Sequence, residues 1–240
     1  VRIPKVGWVR FHWSRPVEQA KSFRVSRDAA GRWHVAFAVI PQPIPGPGTG
    51  EIVGVDRGVT VSAALSTGDL LVVPLLSAAE KKRLVRLRRT LARAKRGSKR
   101  RGKTKTAIAK LKAREGDRRK DWVEKTSTDL VRRFDVIAVE DLKISNMTRS
   151  ARGTLEVPGT NVRQKAGLNQ GILANGWGQL VTRTEHKAPG RVQMVDPRYT
   201  SQTCNACGHI ARESRESQAL FRCVACEHRD HAARTPSSTS

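Results

Sequence analysis

Residues 7–13 (GWVRFHW) and 22–39 (SFRVSRDAAGRWHVAFAV) alternate apolar with polar side chains, and DAAGR interrupts the second run with turn formers. A period of two sends successive side chains to opposite faces, so these runs predict a β-hairpin or a piece of a small barrel. PQPIPGPGTG (41–50) places four prolines and three glycines in ten residues, which predicts a linker without regular structure. A new domain is expected from Glu51. There EIVGVDRGVTVSAALSTGDLLVVPL gives three short apolar segments, parted at Asp56-Arg57-Gly58 and at Ser66-Thr67-Gly68-Asp69. That pattern is an antiparallel meander. From roughly Ala78 to Phe134 the pattern turns helical, with an interruption near KRGSKRRGK. Leu84, Leu87 and Leu91 mark one apolar stripe, and Trp122, Leu130 and Phe134 mark another. DVIAVEDL (135–142) reads as a buried strand, NVRQKAGLNQGILANGWGQLVTRTEHKA as one helix despite its glycines, and GRVQMVDP as a further strand. Meander, helix, strand, helix, strand is the order of an α/β fold around a mixed sheet.

Charge narrows the class of partner. Lys and Arg number 46 against 21 Asp and Glu, a formal charge of +25 over 240 residues. Such an excess favours a polyanion, because each neutralised phosphate releases condensed counterions. A ribosomal or merely adhesive surface is the plainer alternative. Residues 81–120 alone hold 20 Lys or Arg, against only Glu115 and Asp117. A solvated helix more often mixes signs and gains from pairs four residues apart; here the like charges repel unless nucleic acid screens them. Trp8, Trp13, Trp33, Trp122 and Trp177 are read as core residues rather than stacking platforms. No run of 18 apolar residues exists to span a membrane, and no secretory signal is visible. The chain starts at Val1, already within a strand pattern, so a fragment of a longer protein is expected.

All four cysteines fall in one short window as Cys204-x-x-Cys207 and Cys223-x-x-Cys226, fifteen residues apart. Two such pairs let four thiolates converge on one tetrahedral ion, the spacing of a four-cysteine zinc ribbon. With four sulfurs bound no position is left for water, so the ion would be structural. Free or redox-active cysteines are the alternative, and either reading suits a reducing, cytoplasmic setting. Two acids also stand out. Asp56 closes the first apolar strand of the meander and Glu140 closes VIAVE. Burying a carboxylate costs several kcal/mol unless something pairs with it, and a divalent cation is one such partner. Acids ending neighbouring strands can share Mg²⁺ and activate water for phosphodiester hydrolysis. Composition alone leaves open that each is a surface acid beside a turn. Asp141 would point to the opposite face.

GVDRGV, IAVEDLKISNM, NGWGQL and DPRYTSQTCNACGH…SQALFRCVACEH together resemble the OrfB or TnpB family of insertion-sequence proteins, RNA-guided nucleases related to the type V CRISPR effectors. The resemblance runs over nearly the whole chain, in order. It implies a RuvC-like nuclease domain of ribonuclease H fold over 46–198, carrying basic helices at 78–134. It further implies a zinc ribbon at 199–231 and, over 1–45, the tail of a preceding β-barrel. Asp56 and Glu140 match the family's first two catalytic carboxylates, and guide RNA and target DNA are the implied partners.

One departure concerns the third carboxylate. Family members follow the second cysteine pair with H-A-D-x-N-A-A-x-N, whose Asp is the third metal ligand. This chain reads HAARTPSSTS, which either places Ala233 there or has lost a few residues so that AAR matches the later part of the pattern; either way the Asp is missing, and a polar tail covers 232–240. Asp230, three residues earlier, is the nearest stand-in. Losing one acid of three weakens charge neutralisation at the second metal, an effect of orders of magnitude in rate. The expectation is an RNA-guided DNA endonuclease with impaired cleavage; the alternative is a nuclease-dead RNA- and DNA-binding protein of the same fold.

Overall fold

The computed structural model describes residues 1–231 except 15, 18, 19, 198–201, 205, 218 and 219, with the backbone alone for 230 and 231. The chain divides into two compact units, Val1–Gln42 with Leu76–Gly116, and Pro43–Leu75 with everything from Asp117 onward.

In the first unit, β1 (Arg2–Ile3) pairs with β2 (Gly7–Trp8), and β3 (Ser22–Arg27) pairs antiparallel with β4 (Trp33–Ala38). DAAGR makes the β3–β4 turn because the Asp28 carboxylate accepts from both the amide and the Nε of Arg32, at 2.9 and 2.7 Å, while Gly31 takes φ +84°. Residues 9–13 extend no strand, contrary to the alternation. Their aromatic members pack ring on ring instead, Trp13 stacked on Phe37 at 5.0 Å and 15°, and Phe11 tilted by 56° against Trp13 at 4.7 Å. Reading every tryptophan as core needs correction here. Trp8, Trp13 and Trp33 are 82%, 51% and 69% exposed, because a two-stranded ladder has no second layer to cover them.

The helical stretch forms α1 (Ala78–Arg93) and α2 (Lys99–Arg133). Ser77 and Glu80 exchange hydrogen bonds as a capping box that starts α1. The break predicted at KRGSKRRGK falls at residues 94–98, where Gly97 has φ +80° and the Arg101 guanidinium caps the carbonyls of Leu91 and Ala94. Leu84 and Leu87 of the first stripe pack with Leu76, Ile108 and Leu111, so α1 lies on the first part of α2.

In the second unit, β5 (Ile52–Asp56), β6 (Ala63–Leu65), β7 (Leu70–Leu71), β8 (Val136–Glu140) and β9 (Val192–Val195) form one mixed sheet in the order β7-β6-β5-β8-β9. The meander strands are antiparallel, whereas β5–β8 and β8–β9 are parallel. Val53, Val55, Leu65, Ile137 and Val139 bury their side chains with Leu130 and Val131 of α2, with Phe134 just beyond it and with Leu180; Leu130 and Phe134 belong to the second stripe, whose Trp122 packs against this core partly buried. The single helix read over 161–188 is two, α4 (Val162–Asn175) and α5 (Trp177–Lys187), with a short α3 (Ile144–Met147) before them. Gly176 divides them at φ +70°; a Cβ there would lie 2.9 Å from the Arg119 Cδ. The proline-rich linker is tied down rather than loose. The Asp135 carboxylate accepts from the amides of Gly48 and Gly50, and Arg191 donates to the Ile44 carbonyl. No helix among the described residues is long and apolar enough to cross a membrane.

Candidate functional site

Parallel pairing of β5 with β8 runs in register from Ile52↔Val136 to Val55↔Val139. One step further, Asp56 stands level with Glu140. In parallel strands, level residues project to the same face, so the two carboxylates lie side by side. Each is partly buried. The Asp56 carboxyl is pushed up from its ordinary 3.8 to about 6, first by burial and then by the neighbouring negative charge of Glu140. A neighbouring like charge disfavours the ionised carboxylate, and a cation placed between two acids offsets that effect.

Three groups oppose that rise. The Arg57 amide donates to the Asp56 carboxylate, and the charges of Arg215 and Arg57 favour its ionised form. Arg57 is the more unusual of the two cations. It is only 6% exposed, its Nη2 donates to the backbone carbonyl of Glu140, and its buried Nε has no hydrogen-bond partner. Burial lowers the pKa of its guanidinium against the pull of Glu140, Asp56 and Asp141. Sequence reasoning overlooked Arg57 and Arg215. Arg57 stands beside a singled-out acid, and its only signal was a cation closing an apolar strand. Arg215 lies in the cysteine-bearing segment, 159 positions from Asp56, and only folding relates the two. Asp141, expected on the other face, has its amide on the Val195 carbonyl and its carboxylate on Lys143.

The cysteines converge as their spacing predicts. The sulfurs of Cys204, Cys207, Cys223 and Cys226 all lie within 4.8 Å of one another, with the Cys204–Cys226 and Cys207–Cys223 pairs at 3.6 Å. Tetrahedral zinc with bonds of about 2.3 Å sets its sulfurs about 3.8 Å apart, so the cluster fits that ion. Two matching turns build it. Gly208 donates to the Cys204 carbonyl and Cys204 to that of His209; likewise Glu227 donates to Cys223 and Cys223 to His228. A short ladder of β10 (Leu220–Arg222) with β11 (Arg229–His231) carries the second turn, and Phe221 is buried in one cluster with Cys204 and Cys223. The thiols divide electrostatically. Burial works against the Cys223 thiolate, but the amides of Cys226 and Ala225 bring its pKa down to about 6. The His228 amide favours the Cys226 thiolate, yet the neighbouring thiols and burial push that pKa up to about 12. Four thiolates this close need a cation to coexist.

Among the described residues, these cysteines are the only group of three or more Cys, His, Asp or Glu whose ligand atoms converge. The pair Asp56–Glu140 therefore has no third acid there. Asp230 has only its backbone described, opposite Phe221 in the ribbon ladder; its side chain lies outside the described residues, as do Ala233 and the 232–240 tail.

Two domain families match the chain. OrfB_IS605, described as a probable transposase, matches residues 34–151, and the Cas12f1-like TNB domain matches 177–234. The "Putative RNA-guided DNA endonuclease InsQ" of Escherichia coli (strain K12) is 38% identical over 92% of this chain and 56% of its own length. A "Putative RNA-guided DNA endonuclease" of Streptomyces pristinaespiralis is 32% identical over 82% of this chain and 47% of its own length. The chain thus spans about half the length of the curated relatives it matches. Among solved structures, the mini-RNA-guided endonuclease CRISPR-Cas_phi3 aligns over 68% of this chain and 22% of its own, at 22% identity and a TM-score of 0.36, too distant to bear on the geometry.

Proposed function

We propose, from the premise that this chain belongs to the OrfB/TnpB family of insertion-sequence proteins, that it is the nuclease part of a transposon-associated, RNA-guided DNA endonuclease. The observation that carries this reading is the pair Asp56 and Glu140, level on adjacent parallel strands, with Asp56 raised to about 6 by burial and by its neighbour's charge. Hard carboxylate oxygens at the ends of neighbouring strands suit Mg²⁺. Mg²⁺ bound there supplies charge neutralisation at the phosphate and a more acidic water. The chain's own part is to hold the two acids side by side and the Asp56 carboxylate ionised. At neutral pH a carboxyl of pKa near 6 is mostly ionised, and Arg57 and Arg215 reinforce that state. Residues 46–198 would form the RuvC-like domain and 199–231 the zinc ribbon. Zinc would be held by Cys204, Cys207, Cys223 and Cys226, and residues 1–45 would belong to a β-barrel. Guide RNA and target DNA are the partners, contacted along the basic helices at 78–134 in the bacterial cytoplasm and nucleoid. Seventeen of the twenty cations at 81–120 are exposed and so available to phosphate.

A second reading, a nuclease-dead binder of RNA and DNA, is favoured by one observation: Ala233 occupies the place of the family's third acid. One assay separates the two. The chain with its co-purified RNA is incubated with matching DNA and Mg²⁺ or Mn²⁺, alongside Asp56→Ala, Glu140→Ala and Ala233→Asp. Weak cleavage that Asp56→Ala abolishes and Ala233→Asp raises at least tenfold supports the nuclease. Retained binding with no cutting, even in Ala233→Asp, supports the binder.

A further inference from the structure

A buried guanidinium is costly. Desolvating such a charge costs several kcal/mol, and apolar residues of similar volume often replace buried ionic groups with no loss of stability, or with a gain. An unpartnered buried N–H adds to that cost. Arg57 carries both burdens, with 6% exposure and a buried Nε lacking a partner. Stability alone does not account for such a residue at the end of β5, and its contacts point to another role. Its backbone amide donates to the Asp56 carboxylate, while its side chain reaches across to the last carbonyl of β8, that of Glu140. One residue thus holds the first acid by its main chain and the strand end bearing the second acid by its side chain.

The surroundings make the clamp effective. The Glu140 carbonyl also accepts from the Leu142 amide, and the Asp141 amide donates to Val195 of β9. Beyond these bonds the β8 chain leaves the sheet for α3. Regular pairing of β5 with β8 stops at Val55↔Val139, one residue short of the acids. The Arg57 side chain takes over where the ladder ends.

We propose that Arg57 is the positioning residue of the carboxylate pair, locking the end of β8 to the end of β5 so that Asp56 and Glu140 converge on a divalent cation. This rests on the metal-binding reading of the pair, and it assigns Arg57 no contact with substrate. The role requires the planar fork of a guanidinium held in place by burial; a lysine supplies the charge without that geometry.

The test compares Arg57→Lys and Arg57→Met with the wild type in the full zinc-loaded chain, using two readouts. The first is amide hydrogen exchange in the absence of Mg²⁺ and Mn²⁺. Both variants should speed exchange at Asp141 and Leu142 at least tenfold, leaving Val53, Val55 and Val139 within about twofold. Uniform acceleration throughout the sheet, or none at Asp141 and Leu142, would overturn the clamp by reducing Arg57 to a general stabiliser or a bystander. The second is Mn²⁺ affinity from water-proton relaxation, at a temperature where all variants are fully folded. Both variants should bind Mn²⁺ about tenfold more weakly. If Arg57→Lys binds like the wild type, or Arg57→Met binds more tightly, the residue acts as a charge and the positioning role is overturned. If exchange changes as stated but Asp56→Ala leaves Mn²⁺ binding intact, the metal-binding reading of the pair fails while the strand-end lock stands.

Discussion

At Asp56, burial beside the charge of Glu140 disfavours folding at neutral pH. Its carboxyl has a pKa near 6 in the fold, against an ordinary value of 3.8. The folded state therefore holds the proton more tightly than the unfolded chain. Below pH 4 both states are protonated and nothing is lost. Between pH 4 and 6 stability falls as pH rises, and above pH 6 the full penalty remains, about 3 kcal/mol at about 1.4 kcal/mol per pK unit. Asp56→Asn should accordingly stabilise the zinc-loaded chain by about 1–3 kcal/mol at pH 7.5 in buffer without Mg²⁺. The gain should shrink between pH 6 and 4 and vanish below. Urea denaturation across that range checks it; a gain independent of pH would show that burial and Glu140 do not strain this carboxyl. Glu227 offers a second residue-scale test. It occupies φ +59° in the second cysteine turn, where Gly208 occupies +71° in the first. A side chain in left-handed backbone costs roughly 1–2 kcal/mol, and the exposed Arg222–Glu227 pair at 3.3 Å offsets little of it. With Zn²⁺ added, Glu227→Gly should stabilise the cysteine turns by about 0.5–1 kcal/mol, read as slower release of that ion to a chelator.

Among the elements, Gly176 sets the break between α4 and α5, and Trp177 directly after it is 4% exposed with its indole N–H on the Gly58 carbonyl. Gly176→Ala puts a methyl group 2.9 Å from Arg119 at a positive φ, so a loss of about 1–3 kcal/mol is expected from thermal unfolding. The element scale is also where the sequence was most and least legible. Strands β5, β6, β8 and β9 could be read because apolar runs between turn residues have few other readings. The acids ending two of them could be placed because each closes such a run. The α4–α5 division escaped because a glycine inside a helical pattern looks tolerable until its φ is known. The anchored linker escaped because the Asp135 and Arg191 bonds that hold it come from residues 85 to 147 positions away. The tryptophans of the first unit were misplaced for a related reason: aromatic content predicts burial only when a second layer exists to bury it against. In the cysteine cluster, by contrast, spacing alone determined the convergence, since two C-x-x-C turns leave the sulfurs few other arrangements.

Across the whole molecule, positive charge is concentrated on one stretch of the chain. On the proposed reading the pair Asp56–Glu140 takes up cations, whereas residues 81–120 already carry 20 cations, 17 of them exposed. Apart from Glu80 with Arg114 and Glu115 with Lys112, few acids on these helices offset them. Exposed pairs of that kind contribute about 0–1 kcal/mol each, so the remaining cations repel one another with little internal compensation. On the proposed reading a nucleic-acid backbone neutralises them, and its counterions leave on binding. The logarithm of the affinity should therefore fall linearly with the logarithm of salt concentration, by roughly 0.7–0.9 for each phosphate neutralised. Replacing Lys99, Arg100, Lys103 and Lys110 with Gln removes four exposed cations and no buried contact. The slope should decrease by about 3, while the affinity ratio between matched and mismatched DNA stays fixed, because backbone contacts carry no sequence information. Binding measured by fluorescence anisotropy from 50 to 300 mM salt decides the matter. An unchanged slope would mean that these helices face solvent in the complex, and that the +25 charge acts through another surface.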